Sequence, residues 1–160
     1  MIVTFFESFK YVGHMFPLVV LRIYTALFFL GSAYDRYDGD FLLRPRLAAT
    51  INEYLPLSES PVWYQALVES IVVPNWQIFA YIFTYCEFLI GLSLLIGFLV
   101  RPLCLLGLLL SWNYVYMMSP AESQSYQVFL YIFLVLAWIG AGRCLGFDYY
   151  FFKRQRGIWW

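Results

Sequence analysis

Charge is scarce in this chain. Lys, Arg, Asp and Glu make up 12% of its 160 residues, ten basic against ten acidic, for a formal net charge of zero. Soluble domains average about 25% charged residues, so half that fraction argues for a membrane protein. No block of Lys and Arg is present to grip phosphates, which excludes nucleic acid as a partner. His14 is the only histidine, so this chain by itself supplies neither a bis-His haem nor a His-cluster metal site. Cysteine is thin as well. Cys86, Cys104 and Cys144 form no CxxC pair and lie in or beside apolar runs, where they read as small buried hydrophobes. The chain carries no haem, flavin or metal motif, no repeat and no low-complexity tract.

Apolar residues fill the rest. They account for 62% of the chain, aromatics for 22%, and the mean hydropathy is +0.70. Many aromatics stand at the edges of apolar runs, as an interfacial belt requires. The runs predict an all-α integral membrane four-helix bundle in one domain, with spans at 15–35, 76–100, 102–118 and 120–143. A small-residue site at Gly31-Ser32-Ala33 invites comparison with a signal-peptide cleavage site, but the run before it is too long and is interrupted by Arg22. Ser119-Pro120-Ala121-Glu122 is a capping box with proline in the first turn, so the fourth helix starts directly after the third. Residues 1–14 read as an interfacial lead-in and 144–160 as an interfacial tail.

The excursion 36–75 is polar to amphipathic. Asp35, Asp38 and Asp40 flank a turn at Gly39, in positions that do not fit an EF-hand loop. Two short helices are expected near 45–55 and 61–73. The first has Leu47, Ala48, Ile51 and Leu55 on one face. The second has Trp63, Ala66, Leu67, Ser70 and Ile71 on one face, after a Ser60-Pro61 start. Neither is long enough to span, so both should lie on the membrane surface over the bundle. An even number of spans puts both termini on one side. Lys10, Arg101, Arg143, Lys153, Arg154 and Arg156 fall there, against Arg36, Arg44 and Arg46 opposite, which predicts cytoplasmic termini in the inner membrane.

Glu87 is the sole charge in residues 78–100. A carboxylate at mid-membrane costs roughly 2.5–3.5 kcal/mol even on the lenient insertion scale, so it should face other helices or a wet cavity. Ala80, Thr84, Glu87 and Gly91 recur at spacings of four, three and four, a small-and-polar stripe suited to close helix approach. Gly107 and Ser111 make a similar pair on the third helix. With helix ends set at Arg101-Pro102, Glu87 lies about 21 Å deep and Asn113 about 17 Å, close enough to hydrogen-bond. Arg22 either snorkels to the near headgroups or reaches toward Glu87. Glu87, Asn113, Arg22 and Thr84 are thus the candidate intramembrane polar site. Such a site suits a quinone headgroup, or it merely locks four helices together.

Several short motifs, in order, carry a family resemblance. They are Leu21-Arg22-Ile23, then Glu87-Phe88-Leu89-Ile90-Gly91 through Gly97 to Arg101, and Gly140-Ala141-Gly142-Arg143-Cys144-Leu145-Gly146-Phe147-Asp148. Together they resemble the DoxX/DoxD family of small four-helix membrane proteins. Val73-Pro74-Asn75 and Asn113-Tyr114 are more similar to the DoxD branch, which includes the membrane subunit of thiosulfate:quinone oxidoreductase. Many relatives place a Lys where this chain has Tyr34, so any anion-holding job of that Lys is missing here or passes to Arg36. The resemblance implies a subunit that passes electrons from an external reductant, such as a sulfur anion, into membrane quinone. Arg36, Arg44 and Arg46 are then candidate external anion contacts, and a partner subunit supplies the electron-transfer groups. The alternative is a non-catalytic subunit that anchors a larger assembly and holds lipid, paired with another protein or a second copy of itself. A transporter fits less well, because four unbroken spans leave little to alternate.

Overall fold

The computed structural model describes residues 16–58, 60–143 and 146–148; the side chain of Arg143 is outside that description. The expected lead-in at 1–14 and tail at 144–160 lie outside it too, save 146–148, as do Cys144 and, of the basic residues behind the orientation argument, Lys10, Lys153, Arg154 and Arg156. Every regular element among the described residues is helical. The six α-helices are α1 (Phe16–Asp38), α2 (Arg46–Tyr54), α3 (Val62–Leu67), α4 (Trp76–Ile96), α5 (Val100–Met117) and α6 (Pro120–Ile139). A 3-10 turn at Leu55–Leu57 follows α2, a π-turn at Val68–Val72 follows α3, and a 3-10 turn at Ala141–Arg143 follows α6. Two helices, α1 and α4, are long and apolar enough to cross a membrane.

The four long helices pack as two close pairs, α1 on α4 and α5 on α6, with α1 and α6 in much lighter contact. Small residues set the close pairs. A Cβ on Gly91 would sit 2.7 Å from Leu30 Cγ and 3.0 Å from the Ala26 carbonyl oxygen, so α1 and α4 approach through that missing side chain. Gly107 does the same for α5, with the Phe133 ring of α6 lying over it. Ala80, Thr84, Glu87 and Gly91 are all buried, which makes the stripe read from sequence the inward face of α4. Between the pairs, Phe28 and Phe29 of α1 meet Phe129 in a tilted and an edge-on contact, and Phe29 meets Phe133 edge-on. Such pairs add about 0.5–1.5 kcal/mol each beyond the area they bury.

The outer surface is apolar all round. Tyr24 and Leu27 on α1, Ile78 and Leu89 on α4, Leu105 and Leu109 on α5, and Leu134 and Trp138 on α6 are exposed. Water would not tolerate a belt this wide, and hydrocarbon would.

Four boundaries of the long helices differ by two residues or more from those expected. The second long helix ends at Ile96 rather than 100, because Gly97 takes the left-handed cap (φ 73°) and Leu99 follows at φ 52°. Arg101 and Pro102 then fall in the first turn of α5, where a missing amide costs nothing. α1 runs to Asp38, three residues past its predicted end, and α6 stops at Ile139 on a left-handed Gly140. Ser119 caps α6 as expected, its Oγ accepting from the Glu122 amide, while the Glu122 carboxylate accepts from that hydroxyl at 2.8 Å in place of the Ser119 amide.

Residues 39–75 cover one end of the helices. α2 buries Leu47, Ala48 and Ile51, and Leu55 just after it, the face read from sequence. The second short helix turns the other way. Tyr64, Val68 and Val72 are buried, while Trp63, Leu67 and Ile71 are exposed. Both faces are apolar, so pattern alone does not choose between them. What decides is a polar tip, because the Tyr64 hydroxyl donates to Asn113 Oδ1 at 2.9 Å.

Candidate functional site

Glu87 sits on the inner face of α4 with no exposed surface. Its carboxylate meets two residues one turn apart on α1. Oε1 is 3.0 Å from Arg36 Nη1, and Oε2 accepts from Ser32 Oγ at 3.1 Å. The Arg36 guanidinium is held from two further helices. Nη1 donates to the Tyr114 hydroxyl of α5 at 2.5 Å and Nη2 to the Tyr126 hydroxyl of α6 at 3.5 Å. Its Cζ also stands 4.8 Å from the Tyr114 ring centroid and 5.0 Å from that of Phe41. Tyr114 also stands beside the Glu87 carboxylate, and Ser32 beside Tyr126. One ion pair and three hydroxyls therefore link all four long helices. A carboxylate and a guanidinium taken from water together need such added partners to offset their desolvation.

This network stands at the wall of a groove of about 700 Å³ between α1 and α6, where Ser32, Arg36 and Tyr126 line one side and Asp35, Glu122 and Ser125 the rim. The groove follows from the light α1–α6 contact. The Phe28 and Phe129 rings, centroids 4.4 Å apart, join the two helices beside it. A second groove, about 620 Å³ and nearly all apolar, lies between α1 and α4, lined by Leu30, Tyr34, Thr84, Tyr85 and Phe88.

The residues singled out from sequence separate. Glu87 is in the network and Arg36, assigned to the external loop, is its partner. Asn113 is not: it joins Tyr64, and its Nδ2 donates to the Leu109 carbonyl at 2.7 Å. Thr84 turns back to the Ala80 carbonyl at 2.9 Å, a bond within its own helix. Arg22 neither snorkels nor reaches Glu87. It is buried at the opposite end of α1, where Nη1 donates to the Ala141 carbonyl at 2.9 Å and a Cβ on Gly97 would strike it. Arg44 and Arg46 pair with Asp40 Oδ2, at 3.3 and 3.7 Å. Sequence reading missed Ser32, Tyr114 and Tyr126. The available signal was the stripe Arg22, Ala26, Phe29, Ala33, which lands on Arg36 if the helix is carried one turn further.

The end of the bundle where Arg22 lies is closed by its own chain. Asp148 Oδ1 accepts from the Leu99 amide at 2.8 Å and Oδ2 from the Val100 amide at 3.1 Å, capping α5. The Asp148 amide donates to the Gly97 carbonyl at 3.0 Å. Burial raises the Asp148 carboxyl above its ordinary range, while those two amides and the nearby Arg22 and Arg101 pull it back. No group of His, Cys, Asp and Glu among the described residues is placed to hold a metal ion. Cys86 and Cys104 are free thiols.

Comparison with curated proteins and with solved structures gave no match. A family model does match, over residues 17–119, a stretch that begins in α1 and ends at the cap of α6 and so contains Ser32, Arg36, Glu87 and Tyr114. With the apolar outer belt and two helices of membrane-crossing length, that match places the chain in the DoxX family of membrane proteins.

Proposed function

We propose that this chain is a four-span inner-membrane subunit with cytoplasmic termini, and that the groove between α1 and α6 takes the headgroup of a membrane quinone. The observation that carries the reading is the buried network of Glu87, Arg36, Ser32, Tyr114 and Tyr126 opening on a groove of about 700 Å³. That volume lies within the range of about 300–1,000 Å³ typical of small-molecule sites. A quinone accepts two electrons and two protons, and its two carbonyl oxygens need donors. Ser32 and Tyr126 present hydroxyls on the groove wall, Arg36 fixes their positions, and Glu87 behind Ser32 holds or gives a proton. Electrons enter from a partner subunit.

Four spans are supported by the outward faces of α5 and α6, which expose Leu105, Leu109, Trp112, Val128, Leu134 and Trp138. At about 1.5 Å per residue these helices are about 27 and 30 Å long, near the hydrocarbon thickness. The donor side is not built here. Arg36, Arg44 and Arg46 are all ion-paired, and Asp35 and Glu122 rim the groove, so a sulfur anion is better met on a partner. The closer resemblance to the DoxD branch fits this division of labour.

The same network, satisfied from within, also suffices for a non-catalytic subunit that only anchors an assembly. Titrating detergent-purified protein with ubiquinone and menaquinone analogues separates the two. Quinone binding that weakens about tenfold or more in Glu87→Gln supports the redox reading. Absence of binding, with unchanged sulfur-dependent respiration in a Glu87→Gln host, refutes it and leaves the anchor.

A further inference from the structure

The two faces of Glu87 differ. On the side toward residues 39–75 its Oε2 touches Ser32 Oγ, and Ser32 lines the open groove with Tyr126 and Ser125. On the side toward Gly97 the described core is close-packed. Ala26, Phe29, Ile90, Leu94, Phe133 and Leu136 have no exposed surface. Two hydroxyls in that half are engaged away from Glu87: Thr25 Oγ1 donates to the Leu21 carbonyl at 2.9 Å and Ser93 Oγ to the Phe98 carbonyl. Gly91 closes what space remains, with Leu30 and the Ala26 carbonyl packed on it. Water fills a polar groove and is excluded from a close-packed aliphatic and aromatic plug.

We infer that Glu87 exchanges its proton with one side of the membrane only, the side covered by residues 39–75, through Ser32 and the α1–α6 groove. On uptake, a hydronium ion in the groove gives a proton to Ser32 Oγ and is left as water, as Ser32 gives its own proton to Glu87 Oε2. On release the hydroxyl turns, accepts the Glu87 proton and passes its own to a groove water, which leaves as hydronium. Charge and atoms balance at each step, and Ser32 ends as it began. Arg36, Tyr114 and Tyr126 face the carboxylate from α1, α5 and α6, and Cys86 is its neighbour on α4; Asp35 and Glu122 stand at the mouth. Ser32 is thus a positioning and relay residue. The inference shares its site with the quinone reading but not its premise, since a sided carboxyl needs no quinone.

The test uses the full chain in sealed vesicles, with a hydrophobic carbodiimide that reacts only with protonated carboxyls and peptide mass spectrometry to score Glu87. A reporter Asn52→Cys, labelled by an impermeant maleimide, identifies which compartment faces residues 39–75. Acidifying that compartment by two pH units should raise Glu87 labelling several-fold, and acidifying the opposite one should leave it unchanged. Ser125→Trp, which fills the groove mouth, and Ser32→Ala should each blunt the response, with the folded state checked by size exclusion. Labelling that follows the opposite compartment, follows both alike, or follows neither overturns the inference. If quinone binding fails while labelling stays sided, only the quinone reading falls.

Discussion

Arg36 and Glu87 should be worth far more apart than together. Glu87 has no exposed surface and the Arg36 side chain is 12% exposed, so removing either partner strands a charge in a low-dielectric core. Breaking a buried pair typically costs about 3–5 kcal/mol, roughly two to three and a half powers of ten in the folding equilibrium. Arg36→Met should cost more than Glu87→Leu. It also deletes the bonds to Tyr114 and Tyr126 and the stacking on Tyr114 and Phe41, the latter worth about 0.5–2 kcal/mol. The double substitution strands nothing, and apolar replacements of buried ion pairs are often neutral. It should cost only about 1–2 kcal/mol, from the tyrosine hydroxyls left with fewer partners. The assay is reversible unfolding in mixed micelles of the four proteins of the cycle. Single substitutions that each cost under about 1 kcal/mol, or costs that add within about 0.5 kcal/mol, would refute the reasoning.

At the closed end, Asp148→Ala leaves the Leu99 and Val100 amides without their acceptor and should lower stability by about 2–4 kcal/mol, read by the same unfolding assay; Asp148→Asn should recover part of it. Asn113→Leu removes the acceptor of the Tyr64 hydroxyl and should loosen the second short helix without melting the bundle. Hydrogen exchange should then rise over residues 61–72 and stay unchanged over 83–94, and an equal rise in both would count against a local role.

Helices were more legible than partners. Apolar runs bounded by Gly, Pro and a capping box fixed α1, α4, α5 and α6 to within a few residues, because hydrophobic length and cap chemistry are local properties. Glu87 facing inward was legible for the same reason, since the Ala80, Thr84, Gly91 spacing marks one face of one helix. Its partner was not. Depth estimates made from Arg101 placed Asn113 opposite, but α4 ends at Ile96, and Arg36 enters the core because α1 continues three residues further. An error of one turn at either end moves a side chain about 5 Å along the axis, which is enough to exchange one partner for another. The face of the second short helix failed for a different reason. Its two apolar sides bury equally well, and the choice rests on a tertiary hydrogen bond that no local pattern encodes.

The two ends of the helices handle the same problem in opposite ways. Each brings an arginine of α1 into the core with a carboxylate nearby, Arg22 beside Asp148 at one end and Arg36 against Glu87 at the other. At the Arg22 end the charges are spent on backbone: the guanidinium takes the Ala141 carbonyl, the carboxylate takes two amides of α5, and Gly97, Gly142 and Gly146 let the chain close over them. Any side chain on Gly142 would meet Asp148, so the described chain packs closely there. At the Arg36 end the charges meet each other and three hydroxyls, all on side chains, and one wall is left open as a groove. Groups bonded to backbone cannot move without unfolding a helix end, whereas hydroxyls can turn and hand on a proton. A structural lock needs only the first arrangement. That the chain builds the second beside an open groove is the reason to look for its chemistry there.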